Sequence, residues 1–333
     1  MILSCSPLTI IGISAFYGCT SLTSVTISGN LIYIGFNAFY KCPLTEIINL
    51  RNVSYIGEDV FRYSKLTNII ISGTDLCIEK YSFNECKSLI NVTILGSISS
   101  IGNYSFYHCW NLTSITIPDG LTYIGDHAFD NCRSLTNIAV TGHDSYIGNY
   151  AFCECSSLTS IIISGSKTQI GLNAFDGCTS LTSVAVSANV TYCRGYITFS
   201  GSSNIYNITL LHSIYDWNHI VLLDRCKNIF VPRTFIATGE SHIQYGTHLY
   251  VTSRTILTNS SKAFFGEKHV YVHYNNKKGI YDKTTIDVLE YISIENISIP
   301  LLLPETANDF LLYKSHHIHL SFVIISLNSQ PVS

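Results

Sequence analysis

Eight phenylalanines recur at an almost constant interval, and that interval constrains the fold more than any other feature of the chain. Phe16, Phe39, Phe61, Phe83, Phe106, Phe129, Phe152 and Phe175 are 22 or 23 residues apart. Three residues after each stands Cys19, Cys42, Ser64, Cys86, Cys109, Cys132, Cys155 or Cys178, so seven of the twelve cysteines are one repeat position. Two or three residues further on comes Leu22, Leu44, Leu66, Leu89, Leu112, Leu135, Leu158 or Leu181, opening in most copies an L-x-x-[VI]-x-[VI] stretch. An Ile-Gly pair precedes most of the phenylalanines, as in Ile34-Gly35, Ile101-Gly102, Ile124-Gly125 and Ile147-Gly148.

A period near 23 suits one coil of a solenoid. The L-x-x-[VI]-x-[VI] stretch alternates and is rich in β-branched residues, so it reads as a short strand. Stacked coils then pair these strands into a parallel sheet with a spacing of about 4.8 Å, and equivalent residues lie on one another: Phe on Phe, Leu on Leu, Cys on Cys. One coil cannot bury its own apolar face, so its neighbours must cover it. Small residues before the aromatic (Ala15, Ala38, Ser82, Ala128, Ala151, Ala174) let the chain turn tightly. Gly29, Gly73, Gly96, Gly142 and Gly165 follow the strands and are expected to end them. The second copy has Asn49 where an apolar residue belongs, which predicts a bulge or register shift there.

Composition agrees and narrows the function. Of the 333 residues 47% are hydrophobic but only 12% are charged, about half the roughly 25% of an average soluble domain. Ser, Thr, Asn, Gly and Tyr take the place of charge. With a formal net charge of −3 and no basic stripe, nucleic acid is not an expected partner, and binding through the sheet should depend little on salt. The 22 Tyr and 16 Phe speak against disorder.

The segments IGDHAFDNCRSLTNIAV (124–140) and IGNYAFCECSSLTSIIISG (147–165) resemble the BspA-like leucine-rich repeat, I-G-x-x-A-F-x-x-C-x-x-L-x-x-I-x-I-P. The regular match covers roughly residues 8–211. The resemblance implies a leucine-rich-repeat solenoid of the kind found in surface proteins of bacteria and parasitic protists. It implies adhesion or binding of other proteins, and no catalytic residues. Two departures stand out. The proline that ends the family's strand is present in the regular array only at Pro118, and the asparagine ladder of the wider leucine-rich-repeat class survives only at Asn30, Asn52 and Asn189.

The organisation expected is a regular array over residues 1–211, beginning mid-repeat, followed by degenerate coils or a β-rich cap over 212–333. Phe199, Ser202, Ile205, Ile208 and Leu210 fit a ninth copy, and Ile229/Val231, Leu249/Val251, Val270/Val272, Ile297/Ile299 and Ile318/Leu320 suggest further strands. A separate small β-rich domain is the alternative for this region. No basic segment follows Met1, so no signal peptide is expected. The most apolar stretch, Phe310 to Leu327, is interrupted by Lys314, His316, His317 and His319, so no transmembrane segment is expected.

Candidate chemistry is sparse. Laddered cysteines stand one strand spacing apart, but side chains in register point the same way, and about 4.8 Å between Cβ atoms exceeds the usual 3.8 Å of a disulfide. Buried free thiols are therefore expected, with disulfides or a metal as alternatives. Cys153-x-Cys155 resembles a metal hook, yet Cys155 is a ladder position; Cys5, Cys77, Cys193 and Cys226 have no partners at ligand spacing. His316, His317 and His319 form the one histidine cluster, with only Asp309 near to complete a site. No nucleophile elbow, P-loop or G-x-G-x-x-G motif occurs, so neither catalysis nor a cofactor is expected. Eight N-x-[ST] sequons, at Asn52, Asn91, Asn103, Asn111, Asn189, Asn207, Asn259 and Asn296, would matter on a secreted eukaryotic chain. Of these, Asn52 and Asn189 could instead be buried ladder positions.

The candidate ligand face is the solvent side of the sheet, at strand positions between the apolar ones. It comprises Ser24, Thr26, Ser28, Asn68, Ser72, Asn91, Thr93, Ser114, Thr116, Asn137, Thr141, Ser160, Ser164, Ser183 and Ser187, with Ile70, Leu95, Pro118, Ala139, Ile162 and Ala185 among them. This face is small and uncharged, and it would recognise a protein or glycan through hydroxyls and amides; equally, Ser and Thr simply suit exposed strand positions. Tyr33, Tyr55, Tyr104, Tyr123, Tyr146 and Tyr150 cluster before the phenylalanines and offer a second contact surface. The function expected is a non-enzymatic recognition or adhesion protein, at the cell surface or secreted. The alternatives are an intracellular, cytoplasmic scaffold for protein–protein interaction, or a regulatory repeat attached to a catalytic C-terminal region.

Overall fold

The computed structural model describes residues 1–3, 9–118, 120–142, 145–164, 167–186, 189–193 and 205, and the strand residues 207–210, 228–230, 248–250, 256–257, 270–274, 277–281, 286–290 and 323–324. Among them there is no helix. The chain is a leucine-rich-repeat solenoid of parallel strands, and its coils are numbered here by their phenylalanines, from Phe16 in the first to Phe175 in the eighth.

Each coil supplies strand residues to two layers. The expected sheet is built from the L-x-x-[VI]-x-[VI] stretches: Ser24–Ile27, Glu46–Ile48, Asn68–Ile78, Asn91–Ile101, Ser114–Thr116, Asn137–Thr141, Ser160–Ser164 and Ser183–Val186. Neighbouring coils pair parallel and in repeat register, as in Asn68 with Asn91 and Ser160 with Ser183. A second parallel ladder comes from the residues before each Ile-Gly: Ile10–Ile11, Tyr33–Ile34, Tyr55–Ile56, Tyr123–Ile124, Ser145–Ile147, Lys167–Ile170 and Asn189–Cys193. The strands Asn68–Ile78 and Asn91–Ile101 run through both layers. Four of these strands have two residues and a fifth has three, too few to show alternation in a sequence, so the second layer had no alternating signature of its own.

The glycines correct one expectation. Gly73 and Gly96 do not end strands but lie inside them. At Gly73 the need is space, since a Cβ would stand 2.0 Å from the Val53 carbonyl oxygen, as it would 1.8 Å from that of Leu121 at Gly142. Gly96 needs both space, 2.0 Å from the Gly73 carbonyl oxygen, and its positive φ of 113°. Gly165 lies outside the described residues. The irregularity predicted at Asn49 is a one-residue slip. Val25 pairs with Ile47, but the next bridge joins Leu50, not Asn49, to Ile71. Asn49 takes a left-handed conformation, φ 73°, and its Nδ2 donates to the Ile27 carbonyl at 2.6 Å. Asparagine tolerates that conformation and satisfies a carbonyl the slip would leave open.

The interior is a set of apolar ladders. Adjacent phenylalanine rings stack with centroids 5.0 to 5.7 Å apart, within 5° of parallel except Phe61 on Phe83 at 26°. Phe39 to Phe175 are fully buried, while Phe16 in the first coil is half-buried and Cys19 exposed. The residue before each interior ring is buried as well: alanine or serine at Ala38, Ser82, Ser105, Ala128, Ala151 and Ala174, and Val60 before Phe61. The turn holding them places left-handed residues two before and two after the phenylalanine, for example Tyr104 and His108, or His127 and Asn131. Alternate N–H groups therefore point along the solenoid: those of Tyr104, Phe106 and His108 donate to the carbonyls of Asp126, Ala128 and Asp130 in the next coil. Those of Ser105, Tyr107 and Cys109 close turns within their own coil. Every N–H of this buried segment is thus satisfied, as low dielectric requires.

Past the eighth coil, Asn207–Leu210 pairs with Ser183–Val186, and Asn228–Phe230, His248–Tyr250 and Val270–Tyr274 continue that parallel sheet. Lys277–Tyr281 and Ile286–Glu290 then add antiparallel strands. Ile297/Ile299, Ile318/Leu320 and the histidine cluster at 316–319 lie outside the described residues.

Candidate functional site

Three outward or chemically distinct ladders come from the same coil geometry. The first is the cysteines, which prove to be structural. The thiols of Cys42, Cys86, Cys109, Cys132, Cys155 and Cys178 donate to the carbonyls of Phe16, Phe61, Phe83, Phe106, Phe129 and Phe152, at 2.9 to 3.2 Å. Each of these carbonyls already accepts the N–H three residues further on, as Phe106 O does from Cys109 N at 3.1 Å. A small apolar group with one weak donor suits the buried position at its second lone pair. All described cysteines are free. Burial pushes the Cys86 thiol up to about 12 and raises Cys109, Cys132, Cys155 and Cys178 well above the ordinary thiol range. Such thiols are poor nucleophiles and poor ligands. Cys153, half-buried beside Asp130, is likewise pushed up to about 12, chiefly by burial and then by that carboxylate. Among the described residues no group of His, Cys, Asp and Glu side chains is arranged to hold a metal.

The second ladder is the candidate ligand face. The strand positions predicted to face solvent do so: Ser28, Asn68, Ser114, Thr116 and Asn137 are exposed, and Ser24, Thr26, Ser72, Asn91, Thr93, Thr141, Ser160, Ser164 and Ser183 are half-buried. Ser187 lies outside the described residues. Many of these groups are already engaged with each other. Asn91 Nδ2 donates to Asn68 Oδ1 at 2.8 Å, and Ser114 Oγ to Asn91 Oδ1 at 2.8 Å. Beside them the hydroxyls of Thr45, Thr113, Thr136, Thr159 and Thr182 donate to the carbonyl one coil back. The face is apolar at its centre, where Ile70 is 62% exposed beside Ile48 and Leu95. Asn30 and Asn52 are exposed, not buried, with Asn52 Nδ2 donating to Asn30 Oδ1 at 3.3 Å.

The third ladder is the turn face, and it separates the tyrosines into two groups. Tyr33 stacks on Tyr55, and Tyr123 on Tyr146, outside the second sheet. Tyr81, Tyr104, His127 and Tyr150 stack in the turn, at 5.2, 4.6 and 4.9 Å. Around them lie Tyr107, His108 and Trp110, all in the fifth coil. Lys87 Nζ sits over the Trp110 ring at 4.4 Å, and Arg62 lies between Tyr63 and Tyr81 at 5.0 and 5.2 Å. Glu85 receives Lys87 Nζ at 3.0 Å and pairs with His108 Nδ1 at 3.2 Å. Burial raises the Glu85 carboxyl, but hydrogen bonds from Lys87 and His108 outweigh it and hold the group below its ordinary value. His127 Nδ1 stands 2.7 Å from Asp130.

The repeat motif hides these residues because they occupy its unspecified positions. The position four after the phenylalanine reads Thr20, Pro43, Lys65, Lys87, Trp110, Arg133, Ser156 and Thr179. Departure from the repeat, not adherence to it, is the signal that finds them.

With the coil geometry in view, comparison with known families is decisive. The family described as "BspA type Leucine rich repeat region (6 copies)" matches residues 3–110 and 99–229. The chain belongs to this family. The BspA-type match runs through all eight coils and on to the strand Asn228–Phe230. Among curated proteins no sequence matches the chain. Among solved structures, this BspA-type chain is similar to a leucine rich cell surface protein from Faecalibacterium prausnitzii A2-165, with 22% identity over 81% of this chain and 83% of that one, and a TM-score of 0.44. It is similar to a leucine-rich repeat protein from Bacteroides ovatus ATCC 8483, with 20% identity, 75% and 79% coverage and a TM-score of 0.41. A third is the T. pallidum leucine rich repeat protein, with 24% identity, 41% and 78% coverage and a TM-score of 0.31.

Proposed function

We propose that this chain is a non-enzymatic recognition module, exposed at a cell surface or secreted, that holds a partner protein across several consecutive coils. The observation that supports this most directly is the regular step of the coils. Equivalent outward side chains are repeated about every 5 Å, as the phenylalanine ladder measures, on a continuous buried core. Such a scaffold presents a long, preorganised surface whose chemistry varies without disturbing the fold. The sheet face gives a broad platform of hydroxyls, amides and aliphatic groups; the turn face gives aromatic and cationic anchors. Among the described residues no helix is long and apolar enough to cross a membrane.

The test is a solid-phase array of surface and matrix proteins probed with the full-length chain, followed by hydrogen exchange on any saturable complex. Protection spread over three or more adjacent coils is the expected outcome. An array with no saturable partner, or protection confined to one coil, refutes the reading.

A second reading, an intracellular scaffold, is favoured by the nine described cysteines being free thiols, since oxidising compartments favour disulfides. Labelling of intact source cells with an impermeant reagent separates the two. Labelled protein supports the surface reading, and protein present only in the lysate supports the scaffold.

A further inference from the structure

The distribution of charge by depth singles out one part of the turn face. In the contacts between basic and acidic side chains of the described residues the acidic partner is the deeper one. Lys87 is 50% exposed over Glu85 at 21%, and His127 is 26% exposed over Asp130 at 9%; Arg62 over Asp59, Lys80 over Glu58 and His108 over Glu85 follow the same order. Around the fourth to sixth coils the outermost layer of this face is therefore cationic, with Lys87 and Arg133 exposed and the carboxylates deeper, whereas in the seventh coil Glu154 is an exposed carboxylate.

At the centre of that layer stands Trp110, 39% exposed and one of only two tryptophans in the chain. Lys87 and Arg133 occupy the same repeat position in the coils on either side. Lys87 covers one face of the indole at 4.4 Å. Arg133 turns its guanidinium to Asn131 Oδ1, at 2.9 and 3.2 Å. The phenylalanine ladder steps 5.0 and 5.1 Å across these three coils, so the flanking positions are about 10 Å apart, close to one three-residue turn of an extended polyproline-II segment, in which residues i and i+3 share a face. An exposed Trp between cations, with Tyr107 and His108 beside it, has the residue types that dominate protein–protein hot spots.

We propose that the turn face centred on Trp110 docks an acidic extended stretch of a partner protein. The indole is the apolar anchor, and Lys87 and Arg133 pair with carboxylates about three residues apart. This rests on the recognition reading above and adds to it the face and the chemistry of the partner. Unlike binding through the sheet, for which little salt dependence is expected, binding at this face weakens as salt is added, because its attraction is between exposed charges.

The experiment titrates fluorescein-labelled poly-L-glutamate with the full-length chain at low ionic strength, with heparin as the anionic glycan in a parallel series. Saturable binding of polyglutamate is expected, weakening with added salt. Trp110→Ala and Arg133→Gln should each weaken it about tenfold. Trp110→Phe, which keeps a ring, should retain most of it, and Arg51→Gln, which removes an exposed cation elsewhere, should change nothing. Both altered side chains of the proposed site are exposed, and circular dichroism checks that the variants are folded. No binding by the wild type, equal affinity in Trp110→Ala, or tighter binding of heparin than of polyglutamate overturns the proposal. If the array finds a partner that Trp110→Ala still binds, this docking site falls while the recognition reading stands. If neither the array nor polyglutamate shows binding, both fall.

Discussion

Gly12 and Gly148 hold the same repeat position, after the isoleucine that precedes the turn, but they meet different surroundings. A Cβ at Gly12 would touch nothing within 4 Å, whereas at Gly148 it would stand 2.5 Å from the Asp126 nitrogen and from the Gly125 carbonyl carbon. The glycine is therefore required by the coil stacked against it and not by its own backbone angles. Gly12→Ala should leave stability within about 0.5 kcal/mol of wild type, while Gly148→Ala should cost about 1–3 kcal/mol by overpacking. Urea titrations of the two variants check this, and equal costs would mean that the coils do not approach so closely. Glu85 offers a second test at this scale. Its folded carboxyl lies below its ordinary value, so its contribution is present above the unfolded value of about 4.3 and is lost as pH falls through the folded one. Glu85→Gln should therefore flatten the acid limb of a melting-temperature profile, and an unchanged limb would show that Lys87 and His108 do not hold the carboxylate. Of these residues, the glycine could be read from the Ile-Gly pair, but its reason could not, since the neighbouring backbone comes from 23 residues away.

At the scale of the element, the cysteine ladder behaves as a strip of buried donors. Its thiols are raised in the folded state by burial. They ionise near 8.5 once unfolded. The sign follows from linkage: stability is complete below about pH 8.5 and declines as pH rises towards the folded values. Thermal melts from neutral pH to about pH 10.5 should show this decline, with a shallower slope in Cys109→Ser/Cys132→Ser. Serine is already accommodated at Ser64, buried 3.2 Å from Cys86 Sγ. Equal slopes would mean that the ladder thiols ionise as easily folded as unfolded. The strands of the first sheet were legible because alternation and β-branching survive in four or five residues, such as Ser160–Ser164. The turn was not, because its left-handed positions carry Tyr81, Tyr104, His127, Glu85 and Glu154 in place of glycine. There the inter-coil hydrogen bonds, and not the residue type, impose the conformation.

Across the whole molecule, each coil is stabilised by its two neighbours, so the cost of a defect depends on where it lies. Phe129 is buried between the Phe106 and Phe152 rings, at 5.1 and 5.2 Å. Phe16 is half-buried, with Phe39 as its described ring neighbour. Phe129→Ala should cost about 3–5 kcal/mol and raise hydrogen exchange in the coils on both sides. Phe16→Ala should cost clearly less, with exchange raised only near the second coil. A neutral Phe129→Ala would show that the ladder is not the core. Period and register were determined by the sequence alone: the spacing of Phe, Cys and Leu already states which residues stack, because a solenoid core forms from whatever returns to the same place every 23 residues. Depth was decided only by the tertiary structure. How deep a carboxylate lies beside its basic partner, whether a face's amides are spent on each other, and whether Trp110 stands between Lys87 and Arg133 are set by the folded coils. Some of these contacts lie within one coil, as Lys87 with Glu85 and His127 with Asp130 do, and others join residues about 23 apart, as Asn91 with Asn68 and Lys87 with Trp110 do. All fall at positions the repeat leaves unspecified, so the repeat pattern does not reveal them.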